Sequence, residues 1–107
     1  MSDQKTRTEF LEEALRADPN NTFARYGLAM EYSQAGDVER ALEEFRKLLS
    51  VHPDYAAGYF MAAQTLARVD RTPEARTMLE QGIAAAQRSG NAHAKSEMEA
   101  MLSELAE

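Results

Sequence analysis

The sequence contains no cysteine, and only five glycines and three prolines occur among its 107 residues. Without cysteine the chain forms no disulfide, no thiolate zinc site and no cysteine nucleophile. The low glycine and proline content excludes collagen-like and Gly/Pro-rich disordered chains. Uncharged runs such as Tyr55 to Ala67 are far shorter than the ~20 residues of a transmembrane helix. The N-terminus has no apolar run behind its charges, so we expect no signal peptide and a cytoplasmic protein.

A surplus of basic residues is also absent, since 12 Lys and Arg stand against 18 Asp and Glu and the net charge is −6. Binding to a nucleic-acid duplex requires a basic face that contacts the phosphates. We therefore expect no nucleic-acid partner. The length fits a single domain that spans residues 1–107.

The residues that are present favour helices throughout. Ala, Leu, Glu, Arg and Met are abundant, and no stretch alternates apolar with polar residues for long enough to indicate a strand. Turn-forming residues recur at regular intervals and predict six helices, over residues 4–17, 21–35, 38–51, 54–69, 72–88 and 91–106. Gly36 is expected to end one helix in the left-handed conformation, and Asp37 and Thr72 are expected to begin the next helices as N-caps.

Residues of matching character recur 34 positions apart. The pairs are Pro19 and Pro53, Ala29 and Ala63, Tyr32 and Leu66, Ala41 and Ala75, and Phe45 and Leu79. A helix–turn–helix unit with this period is typical of tetratricopeptide repeats, and the sequence resembles that family. The resemblance implies an all-α fold in which antiparallel helix pairs, about six helices in all, stack as a right-handed superhelix.

The resemblance divides the single domain into four parts. Residues 4–17 resemble the second half of a repeat, 22–55 and 56–89 resemble two complete repeats, and 91–106 resemble a capping helix. The first repeat departs from the family pattern at Arg25, where the family prefers tryptophan. Small residues are expected where paired helices cross closely, because larger side chains hold the helix axes apart. These residues are Ala29, Ala41, Ala63 and Ala75.

No arrangement of residues indicates catalysis. The serines lie outside any Gly-rich elbow, and no phosphate-binding loop is present. His52 and His93 lie 41 residues apart, and neither has a partner at a spacing typical of metal ligands. The acidic residues around the third predicted helix are interpreted as a solvated face: Asp37, Glu39, Glu43 and Glu44. We expect a protein without enzymatic activity, cofactor or metal.

The second predicted helix carries apolar residues on two opposite faces, and the fourth repeats this pattern. Leu28, Ala29 and Tyr32 form one face of the second helix and are expected to pack on its partner in the repeat. In the family, the opposite face lines a concave groove that holds peptides. The residues that this resemblance assigns to the groove are Phe23, Tyr26, Met30, Phe60 and Gln64.

Three occupants of this second face stay open. A helix that is apolar on two sides is normally buried on two sides. The first or last helix of the chain, a second copy in a homodimer, or a peptide segment of another protein each satisfies that condition. The family also has a charged groove in which Lys and Asn grip a terminal carboxylate, but Tyr26, Met30, Phe60 and Gln64 occupy the corresponding positions here. We therefore predict a non-catalytic adaptor whose partner segment is apolar or amphipathic.

Overall fold

The computed structural model describes residues 6–106, which form six α-helices and contain no strand. The helices are α1 (Arg7–Ala17), α2 (Thr22–Gln34), α3 (Val38–Val51), α4 (Ala56–Arg68), α5 (Thr72–Ser89) and α6 (Ala92–Leu105). The predicted all-α fold is confirmed, and from α2 onward every helix end lies within two residues of its predicted position. Gln4 and Lys5, which begin the first predicted helix, lie outside the described residues.

The turn between α2 and α3 has the predicted geometry. Gly36 adopts a φ of 82°, which is the left-handed conformation that glycine tolerates best. The Asp37 carboxylate accepts a hydrogen bond from the backbone N–H of Arg40 at 3.3 Å, as an N-cap does. Asp70, 34 residues after Gly36, also adopts a positive φ, of 62°. The repeat period therefore extends to the backbone conformation of the turn.

Helix α5 begins at Thr72, as its predicted range 72–88 does, but the prediction that Thr72 is its N-cap is wrong. The N-cap is Arg71, whereas Thr72 is the first residue of the helix and Pro73 the second. The backbone N–H of Arg71 bonds to the carbonyl of Leu66 at 3.0 Å and thereby closes the end of α4. This bond holds Arg71 in the non-helical position from which α5 begins.

The chain divides into two compact units between Val51 and His52. In the first unit α2 packs against both α1 and α3. In the second unit α5 packs against both α4 and α6, and α4 also contacts α6. Helices α2 and α3 fall within the predicted repeat 22–55, and α4 and α5 within 56–89. The boundaries of the repeats themselves stay a prediction.

Small residues occupy the interior of both units. The four alanines predicted at close helix crossings are all fully buried: Ala29, Ala41, Ala63 and Ala75. Two glycines that the sequence analysis did not single out, Gly27 and Gly82, are also buried at helix contacts. A Cβ at Gly82 would lie 2.5 Å from Met98 Sδ of α6 and 2.6 Å from Tyr59 Cβ of α4. Gly82 therefore sets how closely the three helices of the second unit approach one another.

An ion pair joins α2 to α3 at the position where the family prefers tryptophan. The Arg25 guanidinium lies 2.8 Å from Glu44 Oε1, and it also donates to the Pro19 carbonyl at 2.9 Å. Glu44 is only 8% exposed, so its interpretation as part of a solvated face is wrong. Glu44 is three residues from Ala41 and four from Leu48, which places it on the buried side of α3. Burial removes water from the carboxylate, and the opposite charge of Arg25 compensates for that loss.

We expect alanine at Gly82 to lower the free energy of unfolding by about 1–3 kcal/mol, which is the usual cost of overpacking a core. The Met98 thioether is flexible enough to move, but Tyr59 Cβ is fixed to the backbone of α4. Gly27→Ala is the matched control, because its Cβ would meet only the mobile methyl groups of Leu11, at 3.2 and 3.3 Å. The control gains helix propensity and should stay within about 1 kcal/mol of the parent in urea unfolding. Equal losses in the two variants would contradict this account.

Glu44→Gln should destabilise the first unit by about 1.5–3 kcal/mol, the range for a hydrogen bond to a charged group. The substitution keeps the shape of the side chain but leaves the Arg25 charge without its counterion. Glu43→Gln is the control, since this neighbouring carboxylate is exposed and should change stability by less than about 0.5 kcal/mol. Chemical denaturation of both variants measures the difference. If the two variants are equally stable, Glu44 does not stabilise the fold through its charge.

Candidate protein-interaction surface

The residues assigned to the groove differ in exposure within the first unit. Phe23 is 73% exposed near the start of α2, and Met30 is half-buried two turns later. Tyr26 is also half-buried, and its ring packs edge-on against Phe45 of α3, with 6.4 Å between the ring centroids. Part of the Tyr26 ring therefore belongs to the interior of the unit. Phe23 is the most accessible of the three.

The face of α2 that was expected to pack on α3 is shared between α1 and α3. Leu28 belongs to a buried cluster with Leu11 and Leu15 of α1, and Tyr32 packs against this cluster. The guanidinium of Arg40 of α3 lies over the Tyr32 ring. Within the first unit, α2 therefore has neighbours on two sides, and Phe23 is its exposed large hydrophobic residue.

A pocket of about 510 Å³ opens beside Phe23, between α1 and the start of α2. Its apolar lining consists of Phe10, Leu11, Ala14, Phe23 and Ala24, and its polar lining consists of Arg7 and Asn21. Phe10 is 59% exposed and was missed by the sequence analysis. The sequence did hold a signal for it: Leu11 and Leu15 mark the buried face of α1, and Phe10 lies outside that face.

In the second unit the packing face of α4 is as predicted. Tyr59, Ala62, Ala63 and Leu66 are all buried. The assigned groove residues Phe60 and Gln64 are half-buried one turn apart on the same helix. They are repeat equivalents of Tyr26 and Met30 in the first unit.

The hydroxyl of Tyr32 contributes to the electrostatics of the first unit. It donates to Glu12 Oε2 at 3.4 Å, and the Arg40 guanidinium lies 5.7 Å from the ring centroid. Burial and then the negative charge of Glu12 raise the pKa of Tyr32, although Arg40 opposes the shift. The phenol therefore stays protonated at neutral pH, and its hydroxyl donates from α2 to Glu12 of α1.

Within residues 6–106, no group of three or more Asp, Glu and His side chains is placed to hold a metal ion. None of the helices in this part of the chain combines the length and the apolar character needed to cross a bilayer. The exposed large hydrophobic residues of the described surface are Phe10, Phe23, Val51 and Val69.

Comparison with known proteins identifies the architecture. The sequence pattern of tetratricopeptide repeats matches residues 32–97, more than half of the chain, and a second pattern of that description matches residues 10–43. The chain belongs to the tetratricopeptide repeat (TPR) family. Proteins of this family generally mediate protein–protein interactions and are generally non-catalytic scaffolds.

Individual TPR relatives agree with this assignment along most of the chain. A TPR repeat-containing protein of Pseudomonas aeruginosa is 34% identical over 97 residues, covering 91% of this chain and 92% of the relative. The solution structure of a Bordetella parapertussis protein has a TM-score of 0.82 at 29% identity. The alignment covers 96% of this chain and 90% of the Bordetella chain. A TPR domain protein of Salinibacter ruber reaches a TM-score of 0.75 at 33% identity, with 82% and 89% coverage.

Substitution by serine should separate the accessible from the buried aromatic residues of this TPR unit. Phe23→Ser should cost less than about 1 kcal/mol, because the side chain is mostly in water. Phe45→Ser should cost more than about 3 kcal/mol, because it opens a cavity and buries a hydroxyl. Tyr26→Ser should fall between them, since the Tyr26 side chain is half-buried and its ring packs on Phe45. Thermal and urea unfolding measure the order, and a Tyr26→Ser loss as large as that of Phe45→Ser would place Tyr26 wholly in the core.

Proposed function

We propose that this TPR protein is a non-catalytic cytoplasmic adaptor that binds an apolar or amphipathic segment of another protein. In the first unit the binding face of α2 carries Phe23, Tyr26 and Met30. In the second unit the corresponding face of α4 carries Phe60 and Gln64. Each of these two faces is proposed to bind such a segment independently of the other.

The observation that carries the proposal is the exposure of Phe23. A phenylalanine that is 73% accessible contributes little to folding, yet its aromatic side chain is of the type that anchors protein interfaces. The adjoining pocket of about 510 Å³ gives an incoming side chain a concave apolar site next to Phe23. Phe60 and Gln64 support the proposal through repeat equivalence, because they lie 34 residues after Tyr26 and Met30.

Self-association is a second candidate, favoured by the exposed valines. Val51 ends α3 and is 49% exposed, and Val69 follows α4 and is 45% exposed. A homodimer would cover such residues without any other protein. Light scattering behind a sizing column distinguishes the two functions, because an adaptor is monomeric across micromolar to millimolar concentrations, whereas a structural dimer gives twice the mass.

Capture of partners by the purified protein tests the adaptor proposal. Immobilised protein is exposed to a lysate of its own organism, and the captured proteins are identified and then titrated in purified form. The double substitution Phe23→Ser with Phe60→Ser should weaken binding at least 30-fold, because each interface anchor contributes about 2 kcal/mol or more. Circular dichroism verifies that the variant keeps its helices.

The matched control is Val51→Ser with Val69→Ser, which removes two exposed apolar side chains outside both proposed faces. We expect this control to capture the same proteins as the parent, with unchanged affinity. If the two double variants capture partners equally well, the binding faces lie elsewhere. If the control alone loses capture, the valines form the interface and the assignment of Phe23 and Phe60 is wrong.

A further inference from the structure

The polar edges of the pocket in the first unit offer hydrogen-bond donors. Arg7 carries only donors. Asn21 contributes an NH₂ donor, while its side-chain oxygen accepts the backbone N–H of Ala24 at 3.0 Å. The remaining lining is apolar and includes the exposed rings of Phe10 and Phe23. This combination suits an apolar group with a hydrogen-bond acceptor beside it.

The charge of Arg7 favours a carboxylate over a neutral acceptor. Its side chain is 60% exposed, and its Nε lies 3.0 Å from Glu31 Oε2. That ion pair uses one edge of the guanidinium, which has five N–H donors in all. A second carboxylate on the remaining donors forms charge-assisted bonds, which are roughly twice as strong as bonds to a neutral amide. The net charge of −6 slows the approach of an acidic segment, but it does not alter which group the donors prefer.

The exposed surface of Phe10 and Phe23 is small and suits a short segment better than a second copy of the chain. At 59% and 73% exposure, Phe10 and Phe23 together offer on the order of 250 Å² of apolar surface, given the ~150–250 Å² that each aromatic side chain buries. A stable dimer buries about 800 Å² on each partner. The volume of about 510 Å³ lies in the range of small-ligand sites, which suits the side chains of a short segment. Because both rings are more than half exposed, a longer chain can continue past the pocket.

We infer that the pocket between α1 and α2 binds an internal segment of another protein in which an apolar side chain is followed directly by an acidic residue. The apolar side chain packs between Phe10 and Phe23, and the carboxylate accepts from Arg7. This inference rests on the proposed adaptor function and specifies the chemistry that the first unit selects. The site shares Phe23 with the proposed binding face of α2 and does not include Tyr26 or Met30.

Two synthetic hexapeptides with blocked termini test the inference. They are identical except that phenylalanine is followed by aspartate in one and by asparagine in the other. Titration of the isotope-labelled full chain, followed through its backbone amide NMR signals, should shift Phe10, Ala14 and Phe23 with both peptides. The aspartate peptide should bind about tenfold more tightly. Absence of shifts at these amides up to millimolar peptide, or equal affinity for the two peptides, would overturn the inference.

Matched variants separate the two parts of the pocket. Phe23→Ala should weaken both peptides, whereas Arg7→Gln should abolish the tenfold difference between them and leave the asparagine peptide unaffected. Arg16→Gln is the charge control, since Arg16 is an exposed arginine of the same helix outside the pocket lining. If Arg16→Gln abolishes the difference as Arg7→Gln does, the preference reflects overall charge and the inference is wrong.

The experiments distinguish failure of this inference from failure of the adaptor proposal. The capture experiment relies on Phe23 and Phe60 and makes no use of Arg7. Persistent capture together with equal affinity for the two peptides overturns this inference and leaves the adaptor proposal intact. Loss of both capture and peptide shifts from the parent protein would remove the adaptor function itself.

Discussion

The close approach of helices at small residues is the constraint on which both units depend. In the second unit Gly82 admits Tyr59 of α4 and Met98 of α6 to distances that leave no room for a methyl group. Fully buried alanines have a similar role elsewhere, as Ala29 and Ala41 do in the first unit. Packed interiors have few voids, so these small side chains determine how near the helix axes come. The larger buried side chains then fill the space that this spacing leaves.

The packing of α2 determines how much surface the first unit has left for binding. Leu28 lies in the cluster formed with α1, and Tyr26 meets Phe45 of α3. A helix that is covered on two sides keeps only a narrow accessible strip, and Phe23 lies on that strip beside the pocket. Two exposed large hydrophobic residues of the unit, Phe10 and Phe23, therefore lie together at this pocket. A small concave patch of this kind suits a short segment better than a folded domain.

The Arg25–Glu44 pair shows how this chain departs from other TPR proteins without losing the fold. The guanidinium bonds to Glu44 on α3 and to the Pro19 carbonyl in the turn before α2. The arginine joins these elements through charge and hydrogen bonds. No buried side-chain nitrogen or oxygen of the described residues lacks a hydrogen-bond partner, so burial of this pair leaves no polar atom unsatisfied.

The amino-acid sequence by itself determined the helices, their turns and the repeat period. Gly36, Asp37 and the apolar stripe of α3 are local patterns whose meaning depends on neighbours within a few residues. The N-cap of α5 escaped this reasoning, because the carbonyl of Leu66 in the preceding helix holds Arg71 at that position. Only the tertiary structure decided which face of α2 is covered by α1, that Glu44 is buried, and that Phe10 meets Phe23 at a pocket. These contacts join residues from separate helices, and the periodicity of one helix reveals which residues share a face but not which neighbour covers it.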